Sequence, residues 1–159
     1  MTYAMIGRSR DVWLNRPDCP ARQLIDYMTA QGHMRDAQVD AIKTYLFLKL
    51  AHDGRPLHEL YSQGAFNSLT QAQLDDMPIT NRLRQAMLAN PGLQALYEYL
   101  SDQEIDAKAL IASIAKNPDA VDVGQVFRDI FYGVSYTDYI FSLPMGAGKT
   151  YLMAAFIYL

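Results

Sequence analysis

The segment best suited to chemistry is Gly146-Ala147-Gly148-Lys149-Thr150, within a chain of 159 residues. Glycines allow the backbone to curl so that successive N–H groups point at phosphate oxygens. A lysine that follows them reaches the β- and γ-phosphates, and a threonine hydroxyl next to it binds Mg²⁺. These residue types in this order predict a phosphate-binding loop, with Lys149 on the β- and γ-phosphates and Thr150 as the metal ligand.

The flanking segments fit such a loop. Residues 138–143 (DYIFSL) combine aromatic and β-branched side chains, which predicts a short buried strand directly before the glycines. The apolar run that starts at Tyr151 predicts a helix directly after them, and the positive end of that helix would attract the same phosphates. The general pattern has glycine six positions before the lysine, whereas this chain has Leu143. A glycine-rich turn that binds nothing is the alternative interpretation.

Residues 143–150 (LPMGAGKT) resemble motif I of superfamily 2 helicases and translocases, which include DEAD/DEAH-type proteins. The most similar branch is that of the restriction-enzyme motors, above all the type III motor subunits, where a Leu-Pro or Met-Pro pair before the glycines is familiar. A second segment supports the resemblance, because Arg35, Gln38 and Ala41 match the Arg-x-x-Gln-x-x-Ala element of these families. In those families the glutamine reads adenine through its amide.

The resemblance implies ATP and Mg²⁺ as cofactors and a set of residues that contact them. The implied nucleotide-binding residues are Arg35, Gln38, Gly146, Ala147, Gly148, Lys149, Thr150 and Tyr151. Of these, Gln38 would contact adenine, Lys149 would act in catalysis and Thr150 would bind the metal. The separation of 111 positions between Gln38 and Lys149 is longer than the family usually has, which predicts a helical insertion between them.

The implied parent protein is an ATP-dependent DNA helicase or translocase that couples ATP hydrolysis to movement along duplex DNA. The implied fold is mostly α: a helical N-terminal region runs into the first strand, phosphate-binding loop and helix of a truncated RecA-like α/β domain. The chain holds no Asp-Glu pair for a Walker B motif. Because Mg²⁺ and the attacking water would lack their acidic partners, we expect the 159 residues alone to be inactive.

Hydrophobic periodicity predicts helix after helix from residue 21 to about 133. We divide the chain into an N-terminal arm with a first helix (1–33), an adenine-side helix (34–53), an acidic helical insertion (54–137) and the truncated RecA-like segment (138–159). The expected helices cover Ala21–Ala30 and Arg35–His52, two short segments near residues 57–61 and 69–74, and further stretches that begin at Thr80, Asn90-Pro91, Ser101 and Val123. Residues 44–50 are apolar on nearly every face, which predicts a surrounded helix.

Composition limits the possible partners. The formal charge is −3 and half of the residues are hydrophobic, which excludes disorder of the whole chain and argues against a free-standing nucleic-acid binder. DNA contact in the parent is therefore implied by the resemblance alone. A loose basic arm is formed by Arg8, Arg10, Arg16 and Arg22. Because nearby aspartates dilute its charge, we interpret this arm as solvated.

Residues 51–137 hold six basic and eleven acidic side chains, so we expect this region to face solvent or protein. The alternative function is a non-catalytic helical protein-interaction module that carries a remnant of a phosphate loop, with the partner bound near residues 80–134. The single cysteine excludes an internal disulfide. Lys149 interrupts the longest apolar stretch, and no signal peptide is evident, so we expect a cytoplasmic protein without a membrane span.

Overall fold

The computed structural model describes residues 2–101, 107–133, 139–141 and 148–158. The described residues form helices and no strand, which confirms the prediction of a mostly α chain. The helices are α1 (Thr2–Leu14), α2 (Arg22–Ala30), α3 (Asp36–Leu50), α4 (Leu57–Ser62), α5 (Gln71–Asp76), α6 (Asn81–Ala89), α7 (Pro91–Ser101), α8 (Lys108–Lys116), α9 (Val123–Ile130) and α10 (Lys149–Tyr158), with a 3-10 turn at Pro118–Ala120. Within the described ranges no helix is long and apolar enough to cross a lipid bilayer.

The chain divides into two compact units. The first unit contains residues 1–9 and 55–137, and the second contains residues 10–54 and 138–159. One division falls inside α1, and the other follows Gly54, where Asp53 and Gly54 both have left-handed backbone angles. The helix expected to end at His52 ends at Leu50, just before this turn.

The core of the first unit is a cluster of aromatic rings. Tyr61 of α4 lies 5.0 Å from Phe66, 5.3 Å from Phe127 and 5.1 Å from Phe131, measured between ring centroids. Tyr99 of α7 meets Phe127 edge to face. Tyr61, Phe66 and Phe127 are completely buried. Burial of such large rings supplies much of the free energy that holds α4, α7 and α9 together.

Two helix starts in this unit follow the predicted capping residues. The Thr80 hydroxyl accepts a hydrogen bond from the backbone N–H of Leu83, as an N-cap residue does. The Asn90 side chain accepts from the N–H groups of Gly92 and Leu93, and Pro91 opens α7 at a position where its missing N–H is not needed. Both predicted boundaries are confirmed.

The helix predicted to open at Ser101 starts later. Ser101 is the last residue of α7, and α8 begins at Lys108. An N-cap residue needs an extended backbone, whereas Ser101 continues the preceding helix.

Glu98 of α7 is a buried carboxylate that the sequence pattern did not indicate. Its oxygens accept hydrogen bonds from the Ser68 hydroxyl at 2.6 Å, from the Ser68 N–H at 3.1 Å and from the Leu69 N–H at 3.3 Å. The Gln94 amide donates to the same carboxylate. These donors compensate for the lost hydration of the charge, so Glu98 fixes the segment that leads into α5.

The end of α9 places Tyr132 where glycine is usually found. Tyr132 has φ +49°, and the Gly133 N–H donates to the Arg128 carbonyl at 2.8 Å. This six-residue bond closes a Schellman-type end, whose left-handed residue is therefore Tyr132.

We expect Tyr132→Gly to stabilise the protein by about 1 kcal/mol, because glycine adopts the left-handed conformation without the steric penalty of a Cβ. The Tyr132 side chain is 86% exposed, so little packing is lost. Urea unfolding followed by circular dichroism measures the change. Tyr132→Ala is the control, since it removes the ring and keeps the strain, and equal stability of the two variants would contradict the explanation.

The second unit is built around α3. Trp13 of α1 lies 5.6 Å from Phe47, and Phe156 of α10 lies 4.9 Å from Tyr45, again between ring centroids. Buried side chains of α3 lie on several sides of the helix, at Ala41, Ile42, Thr44, Leu46, Phe47 and Leu48. The prediction of a surrounded helix is confirmed for residues 44–48 and wrong for Lys49 and Leu50, which are exposed.

A buried strand was predicted directly before the glycines, and the described residues of that segment do not form one. Tyr139, Ile140 and Phe141 are not part of a strand, and Ile140 is 90% exposed. A strand needs ladder hydrogen bonds to a neighbour, and the part of the chain that the structure describes offers none. Instead, the Phe141 ring packs 5.5 Å from the Phe156 ring. The remaining predicted strand residues, 138 and 142–143, lie outside the described ranges.

Candidate functional site

The candidate site lies at the start of α10, within the second unit. The helix predicted after the glycines is observed, and it begins at Lys149. Gly148 has φ +75°, and its carbonyl accepts hydrogen bonds from the N–H groups of Tyr151 and Leu152. The side chains of Lys149 and Thr150 are exposed. The end of the predicted loop therefore turns into a helix whose first residues are accessible from solvent.

The first glycine of the predicted loop, Gly146, lies outside the described residues, and so does Ala147. Both remain predicted nucleotide-binding residues.

Gln38 connects this helix start to α3. Its side-chain Nε2 donates a hydrogen bond of 2.8 Å to the Gly148 carbonyl, across 110 positions of sequence. Its Oε1 accepts a hydrogen bond of 2.8 Å from the Arg35 backbone N–H, which precedes the first turn of α3. The side chain is 3% exposed. The two segments singled out in the sequence are therefore in direct contact.

This geometry gives Gln38 a positioning role that the sequence did not indicate. The amide oxygen binds the N-terminal end of α3, and the amide nitrogen binds the last glycine of the loop. An adenine contact of Gln38, as the resemblance implies, would require these hydrogen bonds to be exchanged. Arg35, another residue expected to bind the nucleotide, is exposed at the same helix start.

A second polar cluster in this unit is structural. The Arg10 guanidinium is 6% exposed and lies 2.6 Å from an Asp40 carboxylate oxygen and 2.8 Å from an Asp11 carboxylate oxygen. It also donates to the Thr44 hydroxyl at 2.8 Å. Burial raises the pKa of Asp40, and the charge of Lys43 acts in the opposite direction. The interpretation of Arg10 as part of a solvated arm is therefore wrong, because two carboxylates allow its charge to be buried.

Among the described residues no group of three or more histidine, cysteine, aspartate or glutamate side chains is placed to hold a metal ion. The Thr150 hydroxyl remains the predicted Mg²⁺ ligand, and in such sites the nucleotide itself supplies further oxygens.

No family model, curated protein or solved structure matches this chain.

Sequence reasoning missed a pocket beside α10. The pocket has a volume of about 380 Å³ and is lined by residues of α2, of the segment that follows α2, and of α10. Two of its residues, Tyr27 and Tyr151, carry aromatic rings that are at least half exposed. Of the residues that line it, Tyr151 was expected to bind nucleotide, whereas Tyr27 carried no signal in the sequence, because a tyrosine on a helix does not distinguish a binding site from ordinary surface.

Proposed function

We propose that this chain carries the nucleotide-binding part of an ATP-dependent DNA helicase or translocase of the restriction-enzyme type. The observation that supports this function is the hydrogen bond between Gln38 and Gly148. Each residue belongs to a segment that resembles a separate motif of that group. The two segments are 110 positions apart in the sequence. If each resembled its motif only by chance, the two would not be expected to contact each other in the fold.

The start of α10 has the chemistry that a triphosphate requires. The first N–H groups of a helix have no partner within the helix, and the helix dipole adds a partial positive charge at the same end. Lys149 supplies a full positive charge for the β- and γ-phosphates, and Thr150 supplies a hydroxyl for Mg²⁺. ATP bound there would be held by charge-assisted hydrogen bonds, which are stronger than neutral ones.

Hydrolysis and movement along DNA are proposed for the parent protein, in which a RecA-like α/β domain would form around residues 138–159. In that protein an acidic pair supplied from outside these 159 residues would complete the Mg²⁺ site and activate the water. The acidic region 51–137 would face solvent or a protein partner, because its charge repels a phosphate backbone.

The test of this proposal is the affinity for MgATP, measured by isothermal titration calorimetry. We expect weak binding by the wild-type chain and at least about a tenfold loss in Lys149→Ala, because one charge-assisted hydrogen bond contributes roughly 1.5–3 kcal/mol. Lys116→Ala is the matched control, since Lys116 lies at the end of α8 in the first unit. Circular dichroism checks that each variant is folded.

A folded wild-type chain that binds no MgATP would overturn the proposal, and so would binding that Lys149→Ala leaves intact. Either result would favour the alternative of a helical protein-interaction module.

A further inference from the structure

The pocket beside α10 has the size and lining of a small-molecule site. Its volume of about 380 Å³ lies within the range of roughly 300–1,000 Å³ that ligand pockets occupy. Aliphatic side chains and methionines line most of it, including Met28, Met34 and Ala154. Ligand pockets combine such apolar walls with a few polar groups that fix orientation, and here those groups are Gln31 and His33.

The aromatic residues of the pocket indicate what kind of ligand fits. Tyr27 of α2 is 65% exposed and Tyr151 of α10 is 50% exposed, so both rings present apolar area that the protein itself does not cover. Aromatic faces bind planar rings by stacking or edge contact. The Gln31 amide offers both a donor and an acceptor, and the His33 imidazole offers a ring nitrogen of either kind. A planar heteroaromatic ring with polar edges matches both sets of groups.

The position of the pocket relates it to the candidate phosphate site. Tyr151 follows Lys149 by two positions, which is about 3 Å along the helix axis. Met34 precedes Gln38 by four positions in the sequence, and Gln38 is the residue bound to Gly148. A ligand with phosphates at the start of α10 would therefore have its other end within reach of this pocket.

We propose that the pocket between α2 and α10 receives the nucleobase of the bound nucleotide, with Tyr27 and Tyr151 against the ring and Gln31 and His33 at its polar edge. This inference rests on the proposed nucleotide-binding function. It assigns the base to residues other than Gln38, whose amide is already bonded to Gly148 and Arg35. Gln38 then positions the loop. The pocket between α2 and α10, called the tyrosine pocket after Tyr27 and Tyr151, determines which base is accepted.

The experiment separates the two ends of the nucleotide. Adenosine and inorganic tripolyphosphate are titrated separately, and dissociation constants are taken from NMR shift changes. Ala154→Leu fills the pocket, and Tyr27→Leu removes one aromatic face. We expect each change to weaken adenosine binding by about tenfold, which is typical for the loss of stacking on one base, and to leave tripolyphosphate binding unchanged. Lys149→Ala should have the opposite pattern.

Met153→Leu is the matched control, because Met153 lies next to Ala154 on the same helix, is well exposed and does not line the pocket. Adenosine affinity that survives both Ala154→Leu and Tyr27→Leu, or no adenosine binding at all, overturns the pocket assignment. If tripolyphosphate still binds and Lys149→Ala abolishes that binding, the proposed function stands although the pocket assignment fails. If the wild-type chain binds no tripolyphosphate, the phosphate site itself is overturned. Since Tyr27 is largely exposed, its variant stays informative even if Ala154→Leu does not fold.

Discussion

Gly92→Ala is expected to destabilise the first unit by about 3 kcal/mol, at the upper end of what one added methyl group does in a packed interior. A Cβ at Gly92 would lie 2.0 Å from the Ser62 carbonyl oxygen and 2.9 Å from the Ser62 carbonyl carbon. These are backbone atoms at the end of α4, so they move only if the whole helix shifts away from α7. Thermal unfolding followed by far-UV circular dichroism measures the loss.

Gly124→Ala is the matched control for this change. Gly124 is the second residue of α9, as Gly92 is the second residue of α7. A Cβ at Gly124 meets only an Asp122 carboxylate oxygen, at 3.5 Å, which is an ordinary contact. Alanine is the better helix former, so we expect Gly124→Ala to be neutral or to stabilise by up to about 1 kcal/mol. Equal effects of the two substitutions would contradict the close packing of α4 and α7.

The helix boundaries illustrate what the sequence is able to predict. Thr80 and Asn90 mark helix starts because their side chains bond to N–H groups only two or three residues away. Such local chemistry is readable without knowledge of the fold. Ser101 shows the limit of the same rule, since the preceding helix continues through it and α8 begins at Lys108.

Three of the missed features depend on partners that are distant in the sequence. Gly92 looks like an ordinary helix residue, and only the approach of Ser62 makes its missing side chain necessary. Glu98 looks like a solvated residue, yet it is buried because Ser68 and Leu69 donate to it across about thirty positions. Arg10 was interpreted as solvated because its partner Asp40 lies thirty positions away in the sequence, and nothing near Arg10 in the sequence indicates that ion pair.

The candidate site combines features that local sequence predicts with features that depend on distant partners. The chemistry at Lys149 and Thr150 follows from the residue types themselves, and so does the helix that begins there. The role of Gln38 does not, because a glutamine in the first turn of a helix carries no sign of the glycine it will bond to 110 positions later. The tyrosine pocket likewise forms only when α2 and α10 are neighbours in the fold.

Gly148→Ala is the second large effect that we expect, about 2–3 kcal/mol of destabilisation of the second unit. A Cβ at Gly148 would lie 2.6 Å from the Gln38 Nε2 atom, and φ +75° is strained for any residue with a side chain. The Gln38 amide can swing away, but its buried nitrogen and oxygen then lose the Gly148 and Arg35 partners. Leaving such groups unsatisfied costs about 1–3 kcal/mol beyond the backbone strain.

The measurement is urea unfolding followed by tryptophan fluorescence, because the only tryptophan, Trp13, lies in the second unit against Phe47. Gly32→Ala is the control for strain alone, since Gly32 has φ +67° and no atom within 4 Å of the added Cβ. We expect it to lose only about 1 kcal/mol.

A double-mutant cycle tests the contact between Gln38 and Gly148 directly. With Gln38→Ala already present, the added Cβ at position 148 meets no amide, so Gly148→Ala should then destabilise no more than Gly32→Ala does. If Gly148→Ala still lowers the free energy of unfolding by about 2–3 kcal/mol in the Gln38→Ala background, the strain does not come from the Gln38 amide. That result would contradict the hydrogen bond as the contact that joins α3 to α10. If the coupling is found, the same pair of variants should weaken MgATP binding together, because a loop end that is no longer held by Gln38 presents Lys149 and Thr150 in many orientations instead of one.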